Sequence, residues 1–131
     1  MGDRGSVLPV LVLLVVGGAM AVALTIEVGC AGASWREASF AADAGAEAGA
    51  AALDADAAYA GRLQLNPALA EQAAVAAALA ARPRDGRTAS AHADTEQVCV
   101  TVSQPLPAGF LAPFVPEGQI RVSACASPAQ G

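Results

Sequence analysis

The sequence predicts an α+β protein: a single-pass transmembrane helix running on into a long alanine-rich stem helix, a second short helix, and a small antiparallel sheet of two or three strands. Three observations predict it. Val7 to Ile26 holds no charged residue, and at about 1.5 Å rise per residue it spans a hydrocarbon layer of ~30 Å. From Cys30 to Leu63 alanine dominates and no proline interrupts the chain. Near the other end, Gln97 to Ser103 and Gln119 to Ala126 alternate apolar and polar residues, the period of a half-buried strand.

The 131 residues leave room for one small domain beyond the apolar run. Hydrophobic residues make up 55% of the chain but aromatics only 4%, so the domain core must be thin. The net charge is −5, and every basic residue is an arginine. An acidic, aromatic-poor chain without a basic run argues against nucleic acid as a partner.

Taken in order, residues 1–6 form a cytoplasmic amino terminus and 7–29 the anchor. Residues 30–87 form an extracytoplasmic helical stem (helices 30–63 and 67–81), and 88–131 a small β head. Three readings compete for residues 1–33. An uncleaved signal anchor fits the uninterrupted apolar length, because secretory cores usually run about 7–15 residues. A cleaved secretory peptide fits Ala31-Gly32-Ala33 before Ser34. A lipoprotein fits Val28-Gly29-Cys30, although Glu27 stands where an apolar residue belongs. Length favours the anchor. Arg4 before the run and the acids beyond it favour a cytoplasmic amino terminus. Pro9 is tolerated in a first helical turn. Gly17 and Ala21 have a spacing that supports helix association in a bilayer, and so a homo-oligomer through the anchor; such residues are also common in membrane helices generally.

At 3.6 residues per turn, Trp35, Ala42, Ala46, Gly49 and Leu53 share one face of the stem, with Arg36, Asp43, Glu47 and Asp54 on another. Trp35 suits the headgroup level. The carboxylate row reads as a solvated face, since no His or Cys joins it at ligand spacing. Asn66 and Pro67 are a good N-cap and first residue for the second helix. Its expected buried face is Leu69, Ala73, Ala76 and Ala80, and ARPRDGR (81–87) reads as a polar turn.

Thr88 to Asp94 is a third strand candidate. The two clear strands fit an antiparallel register pairing Cys99 with Cys125, Thr101 with Ser123, and Ser103 with Arg121. That register gathers Val98, Val100, Val102, Ile120 and Val122 on one face, able to cover the stem helix. The connection at 105–118 is proline-broken yet carries Phe110, Leu111, Phe114 and Val115. These four either pack into the core, dip toward the membrane or contact a partner.

Of the three cysteines, Cys99 and Cys125 meet in that register, and outside the cytoplasm they would form a disulfide contributing roughly 3 kcal/mol. Cys30 is left over at the membrane exit. A single His and no CxxC pair give no metal site. Ser6, Ser34 and Ser90 lack a nucleophile's surroundings. No phosphate loop appears. Neither an enzyme nor a cofactor is expected, and His92 reads as an exposed strand residue.

The amino-terminal half resembles the TadE/TadG-like proteins of tight-adherence (Flp) pilus systems. The residues carrying the resemblance are RGSV (4–7), Pro9-Val10 with the apolar run, the IEVG exit (26–29), and AADAGAEAGAAAL (41–53). It covers about the first 55 residues. It implies a pilin-like plan and prepilin-type processing between Gly5 and Ser6. Pseudopilins of the family carry glutamate five residues after the processing glycine. Here that place holds Val10, which puts the chain nearer the TadG-like side. The implied role is a non-catalytic minor pseudopilin or assembly factor, whose partners are the bilayer and other pilus or secretion-system membrane proteins. The rival expectation is a secreted or lipid-anchored envelope protein that binds through the 105–118 loop.

Overall fold

The computed structural model describes residues 7–109 and 118–129. It is α+β, with helices α1 (Val7–Ala50), α2 (Ala55–Tyr59) and α3 (Pro67–Ala80), and strands β1 (Thr88–Ala93), β2 (Val98–Pro105) and β3 (Gln119–Ala126).

Helix α1 is continuous over 44 residues, about 66 Å. Its apolar part is long and apolar enough to cross a membrane, and none of its most apolar window is buried. Leu13 and Val28 are both more than 70% exposed. Burial begins at Ser34 and continues through Ala38, Ala41, Ala42, Gly45, Ala46 and Gly49. One helix therefore joins two kinds of surface, exposed apolar side chains in its first half and a buried small-residue stripe in its second.

Two expectations for the stem are corrected. The helix ends at Ala50 rather than Leu63. Alanine propensity would carry it on, but Asp54 caps a new short helix by accepting the Ala57 N–H at 2.8 Å. The Asp54 N–H donates to the Gln64 carbonyl, and Leu53 pairs with Leu65 in an isolated antiparallel bridge. The buried face holds Ala42, Ala46 and Gly49 as expected, but not its two ends: Trp35 is 56% exposed and Leu53 lies off the helix.

Asn66 and Pro67 open α3 as expected, with the Asn66 side chain accepting the Leu69 N–H. The face that packs is Ala70, Ala74 and Ala78, not Leu69, Ala73, Ala76 and Ala80; Leu69 is exposed. The packing surface of α1 explains this displacement. A Cβ on Gly45 would stand 2.8 Å from the Ala74 carbonyl oxygen and 2.9 Å from the Ala78 Cβ. The helices approach too closely for leucine between them, so the smallest side chains face inward.

The sheet has the order β1-β2-β3, antiparallel throughout. Cys99 pairs with Cys125, Thr101 with Ser123 and Ser103 with Arg121, the register the alternation predicts. Strand β1 stops at Ala93. Asp94 instead turns the chain, its carboxylate accepting the N–H groups of Glu96 and Gln97. Val98, Val100 and Val102 are fully buried, with Ile120 and Val122 packed against them. Each fully buried valine contributes about 1.5–3 kcal/mol. Helix α1 covers β2 and β3, and α3 covers β1 and β2. Strand β2 runs against α1, with Val98 beside Gly49, Val100 beside Gly45, and Gln104 bonded to the Ser34 carbonyl. The β2–β3 connection therefore returns to the end of the head nearest the apolar run.

Candidate functional site

That same end of the head gathers most of the polar chemistry. Alternation along β2 puts Gln104 on the inner face with Val98, Val100 and Val102. A buried amide must be hydrogen-bonded. Its Nε2 donates to the Ser34 carbonyl at 2.8 Å, and its Oε1 accepts from both Nε and Nη2 of Arg87. Arg87 is the buried cation at the centre of the network. Its Nη1 donates to the Ala81 and Arg82 carbonyls and its Nη2 to Glu37 at 2.7 Å. The planar fork thus uses all its donors. Glu37 also accepts from Arg84 Nη1 at 2.7 Å. No buried side-chain nitrogen or oxygen among the described residues lacks a partner. Helix α1, the 81–87 turn and β2 are locked together here, and this lock sets the position of the surface around it.

The surface is a shallow cleft of about 380 Å³ lined by Ala33, Arg36, Glu37, Phe40 and Arg82. The Arg82 guanidinium lies over the Phe40 ring, 5.6 Å from its centroid, a cation–π contact. The Arg82 backbone has φ 58°, the left-handed region, and among the described residues no other non-glycine does so. This conformation ends α3 before Pro83, a role glycine would fill without the steric cost.

Charge is divided along the head. Arg36, Arg82, Arg84, Arg87 and Arg121 lie at the end nearer the apolar run, against Glu27, Glu37 and Asp85. Past Phe40 the sign reverses: among the described residues, Asp43, Glu47, Asp54, Asp56, Glu71, Asp94 and Glu96 are set against only Arg62 and His92. Asp94 is held below its usual value of 3.8, first by the Glu96 and Gln97 backbone N–H groups and to a smaller extent by His92. His92 is exposed, with Nδ1 3.4 Å from Glu71. Among the described residues, no group of three or more His, Cys, Asp or Glu side chains is arranged to hold a metal.

Cys99 and Cys125 are joined by a disulfide on the outer sheet face, and Cys30 is a free, exposed thiol. Gly5 and Ser6 lie outside the described residues, as do Phe110, Leu111, Phe114 and Val115. The described ends of their connection are placed. The Leu106 N–H donates to the Gly118 carbonyl, and Gly109 lies against the Glu27 carboxylate, where a side chain would not fit. The network of Glu37, Arg87 and Gln104 is absent from the sequence reading. A signal existed in the fourth alternating inner position of β2, where glutamine follows three valines and needs a buried partner.

Comparison with protein-family models, curated proteins and solved structures finds no match to this chain.

Proposed function

We propose that the protein is a single-pass membrane protein, with its amino terminus cytoplasmic and its head extracytoplasmic. It serves as a non-catalytic component of a tight-adherence (Flp) type pilus assembly or secretion system, as a minor pseudopilin or an assembly factor. The observation that carries this reading is α1, which runs without a break from the exposed apolar segment into the packed layer of the head. A helix built this way can associate laterally in the bilayer and present the sheet outside it. The residues at 4–10, 26–29 and 41–53, which resemble those of TadE/TadG-like proteins, support the pilus assignment. The partners are the bilayer and other membrane proteins of the machine.

One observation favours a second reading, a secreted envelope protein. Packing in α1 starts at Ser34, so cleavage after Ala33 would leave the core whole. Intact mass of the protein purified from its host separates the two. The full chain, or a chain lacking residues 1–5, supports the anchored reading. Loss of residues 1–33 overturns it, and a diacylglycerol adduct on Cys30 makes the protein lipid-anchored. Deleting the gene should then abolish assembled pili while leaving pilin synthesis intact, and unchanged pili would remove the assembly role.

A further inference from the structure

We propose that the cleft between α1 and the 81–84 turn binds the phosphate of an anionic phospholipid in the leaflet the head faces. This rests on the anchored reading above.

Height is the first argument. Val28 is the last strongly exposed apolar residue of the anchor, and Arg36 follows it by about 12 Å of helix. Helical side chains lean toward the helix amino terminus, here the membrane side. The Arg36 side chain therefore reaches back toward the level of Ala33, its neighbour in the cleft lining. That is about 6–8 Å beyond Val28, the depth of the headgroup layer. Trp35 stands at the same height and is exposed, as interfacial tryptophans are.

Charge is the second. The carboxylate in the cleft, Glu37, is already shared by Arg84 and Arg87. Arg36 makes no ion pair among the described residues, and Arg82 rests on an aromatic face rather than on an acid. The cleft thus offers two uncompensated guanidiniums, groups suited to phosphate oxygens. Glu27 lies roughly opposite the Ala33–Arg36–Phe40 side on a helical wheel, so it does not repel an anion there.

Backbone strain is the third. Arg82 occupies a left-handed position that glycine would hold more cheaply. Retaining a long cation there keeps the guanidinium over Phe40 at the mouth of the cleft.

The test uses the full chain in nanodiscs of phosphatidylcholine alone or mixed with phosphatidylglycerol. Retained lipid is counted by native mass spectrometry, and the depth of Trp35, the single tryptophan, is read by quenching with brominated lipid. Phosphatidylglycerol should be retained in preference to phosphatidylcholine. Arg36→Gln and Arg82→Gly should each weaken that preference about fivefold, the factor for removing one basic residue from an anionic surface. Arg82→Gly also relieves strain, so its unfolding midpoint should not fall below the parent's while lipid retention falls. Arg62→Gln, at the far end, should change nothing. Equal retention of the two lipids, parental binding by both cleft variants, or an equal loss in Arg62→Gln overturns the proposal. So does competition by inorganic phosphate as strong as that by soluble phosphatidylglycerol, which makes the cleft a general anion site. A chain that alkaline carbonate extracts from membranes defeats the anchored reading instead, a distinct result.

Discussion

Arg87 ties α1, the 81–87 turn and β2 to one another. It is a buried charge whose donors all end on fixed acceptors from three segments. Removing it strands the Gln104 Oε1 and the Ala81 and Arg82 carbonyls, while Glu37 keeps Arg84; with about 1–3 kcal/mol for each buried acceptor left unpaired, the loss is about 3–5 kcal/mol. Arg87→Ala should therefore destabilise the head by that amount in urea unfolding. Arg87→Lys should recover little, because an ammonium cannot reproduce the fork. Asp94 makes a separate prediction. Its carboxyl is lowered in the folded state by the Glu96 and Gln97 N–H groups, so its contribution is complete above the unfolded value of 3.8 and is lost as pH falls through the lower folded value. Thermal melts of Asp94→Asn and the parent should converge as pH drops below that window; a constant gap from neutral to strongly acid pH would contradict this.

Among the elements, α1 and α3 show how small residues control packing. Gly45→Ala adds helix propensity but drives a methyl into the Ala74 carbonyl and the Ala78 side chain, and overpacking of that kind costs about 1–3 kcal/mol. Gly32→Ala, with nothing within 4 Å of the new methyl, should be neutral or stabilising by about 0.5–1 kcal/mol. Paired urea titrations check both signs. The same packing explains what the sequence made legible. Strand alternation in β2 and β3 was decisive because valine and serine differ sharply, and it yielded the register and the Cys99–Cys125 pairing. The Asn66-Pro67 start was legible from local cap chemistry. Helix faces were not, because alanine at nearly every position offers no contrast. Trp35 and Leu69 then suggest an inward face when the interhelix gap admits only glycine and alanine. The end of α1 at Ala50 was hidden as well, since it depends on the bridge between Leu53 and Leu65, a pairing across a turn that no residue pattern announces. The arginine cleft was illegible for a related reason: Arg36, Phe40 and Arg82 meet only after α3 folds back.

For the whole molecule, a three-stranded sheet under two alanine-faced helices buries little area per residue, and the disulfide offsets that thinness. Closing the loop between Cys99 and Cys125, 26 residues apart, contributes roughly 3 kcal/mol by restricting the unfolded chain. The Cys99→Ser/Cys125→Ser double variant should unfold at correspondingly lower urea, with Cys30→Ser as the unaffected control. Non-reducing peptide mapping should recover the Cys99 and Cys125 peptides as one species.

The unbroken α1 has a mechanical consequence. On the anchored reading, a stiff rod shared by bilayer and head would leave no hinge at the lipid surface, so the head would inherit every change in the tilt of the anchor. From the middle of the apolar segment to Gly49 the lever is about 48 Å, and a 10° tilt, well within the usual range for membrane helices, swings its far end by roughly 8 Å. A thinner or thicker membrane around that anchor would thereby re-aim the sheet, and the orientation of the head would become a mechanical readout of bilayer thickness.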